Sequence, residues 1–132
     1  MTGAQLPAVQ PVLTPERLLA ARERVRAIYV DEKIKDNVLD LVMTTRKPAE
    51  RGLTDLAPLI SFGASPRAGI AMIEAARAYA FMQGRGFVTP DDIKQIAPDV
   101  LRHRVLISYE AEAEGITSDM IVRRILDFTQ VP

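Results

Sequence analysis

Apolar residues recur along much of the chain at three- and four-residue spacing, the pattern of helices with one buried face. One such stripe follows Asp31 and consists of Ile34, Val38, Leu41 and Val42. Another follows Ser118 and consists of Ile121, Val122, Ile125 and Leu126. Further helices are predicted after Thr14 and after Thr89, so the pattern indicates a mainly α domain.

The segment from Pro66 to about Gln83 differs from the others because apolar residues lie on nearly all of its faces. A helix of this kind is predicted to be surrounded by other helices, which places Ile73 in the core. It is predicted to end at Gly84, because glycine is favoured just past a helix C-terminus.

Two short apolar stretches, at residues 87–88 and 105–108, are predicted to be extended and to form one short strand pair. Residues 50–62 are interpreted as a connector that packs down through its own apolar side chains. The predicted fold is therefore a small helical bundle of about five helices with room for one short strand pair.

Three of the predicted helices begin with a capping residue followed by proline, at Thr14, Ser65 and Thr89. After Ser65 and Pro66, this arrangement places Arg67 in the first turn of the apolar helix. A cation there opposes the helix dipole, which favours anions at the N-terminus. Two interpretations stay open: Arg67 pairs with a nearby acid at the surface, or it binds an anion together with the helix N-terminus.

Composition narrows the class of protein. The 132 residues contain 17 Lys+Arg and 17 Asp+Glu, a balance that argues against a non-specific nucleic-acid binder. The chain has no cysteine and one histidine, so neither a disulfide nor a thiolate or histidine metal site is expected. No apolar run reaches the ~20 residues of a membrane span, and no signal segment is visible. We expect a soluble, cytoplasmic protein.

Other candidates for chemistry have simpler explanations. Asp31 and Glu32 follow an apolar run, as in metal-holding strands of nucleotide hydrolases, but no phosphate-binding glycine loop accompanies them, so Asp31 is predicted to be a helix cap. His103 lies between two arginines and could touch phosphate, although a surface or packing role is favoured. Three glutamates are predicted to lie on a solvated loop or edge: Glu110, Glu112 and Glu114.

The stretch Gly63-Ala64-Ser65-Pro66-Arg67-Ala68 resembles the sensor-2 motif of MoxR-type AAA+ ATPases. Residues 84–92 and 97–104 are similar to lid signatures of that family, and the resemblance covers residues 12–132. The ATPase core that precedes the lid in that family, with its Walker motifs, sensor 1 and arginine finger, is absent from this sequence. The resemblance implies that residues 1–13 are a linker from the missing core and that residues 14–132 are the helical AAA+ lid.

On this resemblance, the core would bind ATP and Mg²⁺, the lid would close over the nucleotide, and Arg67 would contact the γ-phosphate. Gly63, Ala64, Ser65 and Pro66 would form the supporting loop and cap. The fragment alone would hold no catalytic residue and no metal. The full-length protein would be an ATPase that forms a ring, typically a hexamer, with its own core and neighbouring subunits as partners. It would remodel or activate client proteins, including von Willebrand factor A domain proteins.

A competing hypothesis is a helix-turn-helix or winged-helix DNA-binding domain, or a helical protein-interaction module. In the DNA-binding version the helix after Thr89 is the reader, with Arg102 and Arg104 on phosphates. That helix begins with Asp91 and Asp92, whose charges oppose contact with DNA.

Overall fold

The computed structural model describes residues 3–129, which form six α-helices and one small two-stranded sheet. The helices are α1 (Pro15–Arg26), α2 (Glu32–Arg46), α3 (Pro66–Met82), α4 (Pro90–Leu101), α5 (Tyr109–Ala113) and α6 (Ser118–Phe128). The strands are β1 (Ile60–Phe62) and β2 (Leu106–Ile107), and short 3-10 turns span Ala49–Arg51 and Ala57–Leu59. The predicted mainly α fold is confirmed. It has one more helix than expected, because α5 forms where a solvated loop was predicted.

Each of the six helices begins at a side chain that accepts a hydrogen bond from the first turn. The capping residues are Thr14, Asp31, Ser65, Thr89, Ser108 and Thr117. Proline follows the cap in α1, α3 and α4, as predicted. These positions satisfy amide groups that have no partner within the helix, and they explain why the helices begin where they do.

The core is organised around α3, which packs against α4, α2 and α1. One stripe of α3 is fully buried and consists of Ala68, Met72, Ala76 and Ala80. Three of these four side chains are methyl groups, which allows the neighbouring helices to approach closely. The same core contains larger buried side chains from α4 and α6, among them Ile93, Leu101, Ile121 and Ile125.

The prediction that α3 is surrounded on nearly all faces is wrong. Ile70 is 62% exposed and Met82 is 74% exposed, while Ile73 is only partly buried. The apolar residues of α1 are also largely exposed, and no residue of that helix is buried. An apolar residue in the sequence does not reveal which neighbour covers it, and here the side of α3 between α1 and α2 stays open.

The strand pair is present, but one of its two predicted members is wrong. β1 pairs with β2 in antiparallel fashion, with Ile60 opposite Ile107 and Phe62 opposite Leu106. β1 lies in the segment interpreted as a connector, whereas β2 falls within the predicted stretch 105–108. Residues 87–88 instead form an isolated parallel bridge with Tyr29, whose amide donates to Gly86 O at 3.0 Å.

The turn between α3 and α4 is held by an ion pair. Gly84 has a φ of 75°, which glycine adopts without strain, and it ends α3 as predicted. Arg85 then donates from both Nη atoms to the carboxylate of Asp92, which is 2% exposed. The same carboxylate accepts from the Thr89 amide at 2.8 Å and completes the capping box of α4.

Burial by itself opposes ionisation of Asp92, but the hydrogen bonds from Arg85 and Thr89 outweigh it. The pKa of the Asp92 carboxyl therefore lies below its ordinary value. A depressed folded-state pKa stabilises the native state above the ordinary aspartate pKa, and this stabilisation is lost as the pH falls towards the folded-state value.

We expect Asp92→Asn to lower stability near neutral pH and to flatten the loss of stability on acidification, because the variant has no carboxylate to protonate. Thermal melting between about pH 2 and pH 7 measures both effects. Asp91→Asn is the matched control, since Asp91 is exposed in the same turn. If the stability of Asp92→Asn fell with acidification as steeply as that of the wild type, Asp92 would not be the source of this pH dependence.

Adjacent positions on α3 test the burial pattern. Met72→Ala should lower the free energy of unfolding by about 2–5 kcal/mol, because Met72 is fully buried between helices. Ile73→Ala should cost less than about 2 kcal/mol, because Ile73 borders the open side. Urea unfolding of the two variants measures the difference, and equal losses would show that the open side is covered.

Candidate functional site

The candidate site is the loop at residues 63–65 together with the first turn of α3. Ser65 adopts an extended conformation with φ −83° and ψ 166°, and its Oγ accepts from the Arg67 amide at 3.3 Å. Its carbonyl accepts from the Ala68 amide at 2.9 Å. Because Pro66 occupies the first helical position, Arg67 lies in the first turn, as the sequence predicts.

Arg67 is exposed, and no acidic side chain among residues 3–129 forms an ion pair with it. The interpretation of Arg67 as a partner of a nearby surface acid therefore finds no support in the described chain. The guanidinium and the partly positive N-terminus of α3 lie at the same end of one helix. Both are suited to an anion from outside the domain.

The loop before Arg67 is held by the C-terminal end of α2. The Ala64 amide donates to Thr45 Oγ1 at 2.9 Å, and the Ala64 carbonyl accepts from Arg46 Nη1 at 3.1 Å. Ala64 itself is fully buried. Gly63 passes so close to α2 that a Cβ at this position would lie 2.4 Å from the Thr45 carbonyl oxygen.

The predicted site residues 63–67 are consecutive in the chain, and the structure adds two residues for which no role at this site was predicted. Thr45 and Arg46 contact the loop although they precede it by 18 or 19 positions. The apolar stripe of α2 predicts that helix, but no local pattern indicates which residues its last turn contacts.

A groove of about 430 Å³, lined by both apolar and charged residues, lies between α2 and α3. Its lining includes Val38, Leu39, Gly69, Ile70 and Ile73. The groove lies along the open side of α3 and reaches the start of that helix at Pro66.

The remaining candidates have local roles in the fold. Asp31 caps α2, with Oδ1 accepting from the Lys33 amide at 2.8 Å, as predicted. His103 is exposed, and its Nε2 lies 2.6 Å from Arg104 Nη1. The three glutamates at 110, 112 and 114 are exposed, and residues 3–129 contain no cluster of acids and histidines suited to a metal ion.

The two arginines of the competing DNA-binding hypothesis, Arg102 and Arg104, form hydrogen bonds within the domain. Arg102 donates to Asp119 at 2.7 Å and to Asp99 at 3.0 Å. Arg104 donates to the Val100 carbonyl at 2.7 Å. Both arginines thus have partners within the domain, and no observation favours α4 as a DNA-reading helix. Within the described residues, no helix combines the length and apolar character needed to cross a membrane.

Comparison with known proteins gives a family match. The family model for the AAA lid domain matches residues 53–125. The chaperone MoxR1 of Mycobacterium tuberculosis is 36% identical over 130 residues, which are 98% of this chain and 34% of the relative. Protein MoxR of Paracoccus denitrificans is 38% identical over 99 residues, covering 70% of this chain and 29% of the relative.

A solved structure gives the same result for the fold. A protein of Cytophaga hutchinsonii assigned as an ATPase superimposes with a TM-score of 0.86 at 39% identity. The match covers 89% of this chain and 36% of that protein. This chain therefore spans about a third of the length of the relatives it matches.

Arg67→Ala should change the free energy of unfolding of the domain by less than about 0.5 kcal/mol, because Arg67 is exposed and has no ion-pair partner in the described chain. Urea unfolding measures the change. Ser65→Ala is the contrasting variant, since loss of the cap should cost about 1 kcal/mol. A larger loss for Arg67→Ala than for Ser65→Ala would make Arg67 a structural residue.

Proposed function

The chain belongs to the AAA lid domain family and resembles MoxR proteins, and from this premise we propose that it closes over ATP held by an ATPase core. Arg67 acts as the sensor-2 residue and contacts the γ-phosphate. Residues 14–132 form the lid and residues 1–13 the linker; residues 1–2 and 130–132 lie outside the described chain.

The observation that carries this proposal is the exposed guanidinium of Arg67, which has no ion-pair partner among residues 3–129. It lies at the N-terminus of α3, a helix with a fully buried stripe. An arginine in that place opposes the helix dipole as long as no anion is present. When a phosphate arrives, the guanidinium and the partly positive end of the helix attract it together. The arrangement therefore contributes more to ligand binding than to folding.

The chemistry expected of Arg67 is positioning and charge stabilisation. ATP bound by the core, with Mg²⁺ on its phosphates, supplies the phosphoryl group, and catalysis of its transfer rests largely on placing and neutralising charge. Arginine suits this task because its planar guanidinium can make two parallel hydrogen bonds to one phosphate. On the proposal, Mg²⁺ is held by the core together with ATP.

Loss of the γ-phosphate would remove the partner of Arg67 and release α3 from the nucleotide. Because α3 packs against α4, α2 and α1, the movement would involve the lid as a body. Motion of this kind is how nucleotide switches convert hydrolysis into a change of shape. It would act on the chain's own core and on neighbouring subunits of a ring, which we propose to be a hexamer.

The work done by this ring is proposed to be chaperone-like remodelling or activation of other proteins. The Mycobacterium tuberculosis relative is named a chaperone, which supports this part of the proposal. Proteins with von Willebrand factor A domains are the proposed class of client.

In the longer protein, Arg67→Ala should slow ATP hydrolysis by about 10- to 1,000-fold, since a transition-state arginine contributes up to ~10³-fold or more but can share its load. Arg67→Lys should restore little activity, because an ammonium cannot make the two-pronged contact. Steady-state turnover with saturating ATP and Mg²⁺ measures both variants.

Arg123→Ala is the matched control, since Arg123 is also exposed and has no ion-pair partner in the described chain but lies on α6. It should hydrolyse ATP at the wild-type rate. Equal rates for Arg67→Ala and Arg123→Ala would exclude the sensor-2 role.

A further inference from the structure

We propose that Thr45 and Arg46, at the end of α2, are positioning residues that hold Arg67 in place for the γ-phosphate. This inference rests on the proposed sensor-2 function of Arg67. The two residues form a clamp, by which we mean their hydrogen bonds to the Ala64 backbone together with the close approach of Gly63.

The clamp binds both polar backbone groups of Ala64. Thr45 Oγ1 accepts from the Ala64 amide at 2.9 Å, and Arg46 Nη1 donates to the Ala64 carbonyl at 3.1 Å. Two successive residues of α2 therefore satisfy both polar backbone groups of a buried loop residue. A loop shifted along or away from α2 would lose these bonds.

Thr45 makes the position of the loop energetically well defined. Its side chain is fully buried, and its hydroxyl also donates to the Val42 carbonyl at 2.6 Å. Inside the protein both partners of the hydroxyl are needed, because a buried polar group without a hydrogen bond is costly. Because Ala64 is fully buried, its amide depends on Thr45 for a hydrogen bond.

Gly63 limits movement in the other direction. The space for a side chain at this position is occupied by the Thr45 backbone, whose carbonyl oxygen would lie 2.4 Å from a Cβ. The loop is thus pulled towards α2 by the hydrogen bonds of Ala64 and stopped by backbone contact at Gly63. Its distance from α2 is set by both.

The connection from the clamp to Arg67 is short and stiff. After Ala64 come Ser65, whose side chain caps α3, and Pro66, whose ring fixes φ. No residue between the clamp and Arg67 lies outside a defined cap or helical conformation. A displaced Ala64 would therefore displace Arg67, and misplacement by about 1 Å can reduce a reaction rate by ~10²-fold.

The first test measures turnover and KM of the longer ATPase with Arg46→Ala and Arg46→Lys. Because Arg46 is exposed, its loss should leave the lid folded while freeing the Ala64 carbonyl. We expect Arg46→Ala to lower kcat about 3- to 30-fold, less than loss of Arg67 itself, with little change in KM. Lysine can still donate to a carbonyl and should restore part of the rate.

Thr45 gives a matched pair of variants. Thr45→Ser keeps the hydroxyl and should retain most activity, whereas Thr45→Val keeps the shape and removes the hydrogen bond to Ala64. Melting of each lid is measured in parallel. Arg51→Ala is the control, because Arg51 also contacts α2, through Asp40 at 2.9 Å, but does not touch the loop.

A double-mutant cycle separates positioning from a merely structural role. If Arg46 acts through Arg67, Arg46→Ala should slow the wild type but have no further effect in an Arg67→Ala background. Equal fold-reductions in both backgrounds would overturn the proposal, as would an Arg46→Ala enzyme with wild-type kcat.

The outcomes also distinguish the clamp proposal from the proposed sensor-2 function of Arg67. If Arg67→Ala leaves turnover unchanged, the proposed sensor-2 function is wrong, and the clamp proposal, which depends on it, is wrong as well. If Arg67→Ala slows turnover but the Arg46 and Thr45 variants do not, the sensor-2 function stands and the clamp proposal alone is wrong.

Discussion

The close packing of α3 against its neighbours is the constraint on which the rest of this structure depends. Ala68, Ala76 and Ala80 present only methyl groups to the surrounding helices, and Met72 fills the remaining space between them. Since protein interiors are packed to nearly crystalline density, such a helix has little freedom to slide or tilt. Its axis is thereby set, and so is the direction in which its N-terminus faces.

The same constraint explains how an unfavourable charge is tolerated at that N-terminus. A cation in the first turn costs a fraction of a kcal/mol against the helix dipole, which is small beside the burial of the α3 stripe. The cap by Ser65 and the proline after it also stabilise the first turn without the help of Arg67. We therefore expect that folding does not require the guanidinium, which leaves it to the proposed contact with phosphate.

Features that depend on neighbouring residues could be predicted from the sequence, whereas those that join distant segments could not. The caps at Thr14, Ser65 and Thr89 and the place of Arg67 follow from local chemistry, and the structure has them. The pairing of β1 with β2 and the contacts of Thr45 and Arg46 with Ala64 depend on how helices pack. Nothing near residues 60–62 in the sequence indicates that their partner lies after α4.

The exposed apolar residues of α3 show a different limit of sequence reasoning, and they bear on function. The pattern of Ile70, Ile73 and Phe81 predicts neighbours on nearly all sides of α3, but in the described chain Ile70 is 62% exposed and Phe81 is 37% exposed. The uncovered side continues into the groove between α2 and α3, which reaches the start of α3 at Pro66. On the proposed function, this uncovered side meets the ATPase core, and Arg67 lies at the N-terminal end of the same helix. Closure would then bury apolar area and form the arginine–phosphate contact in the same movement, so each would strengthen the other.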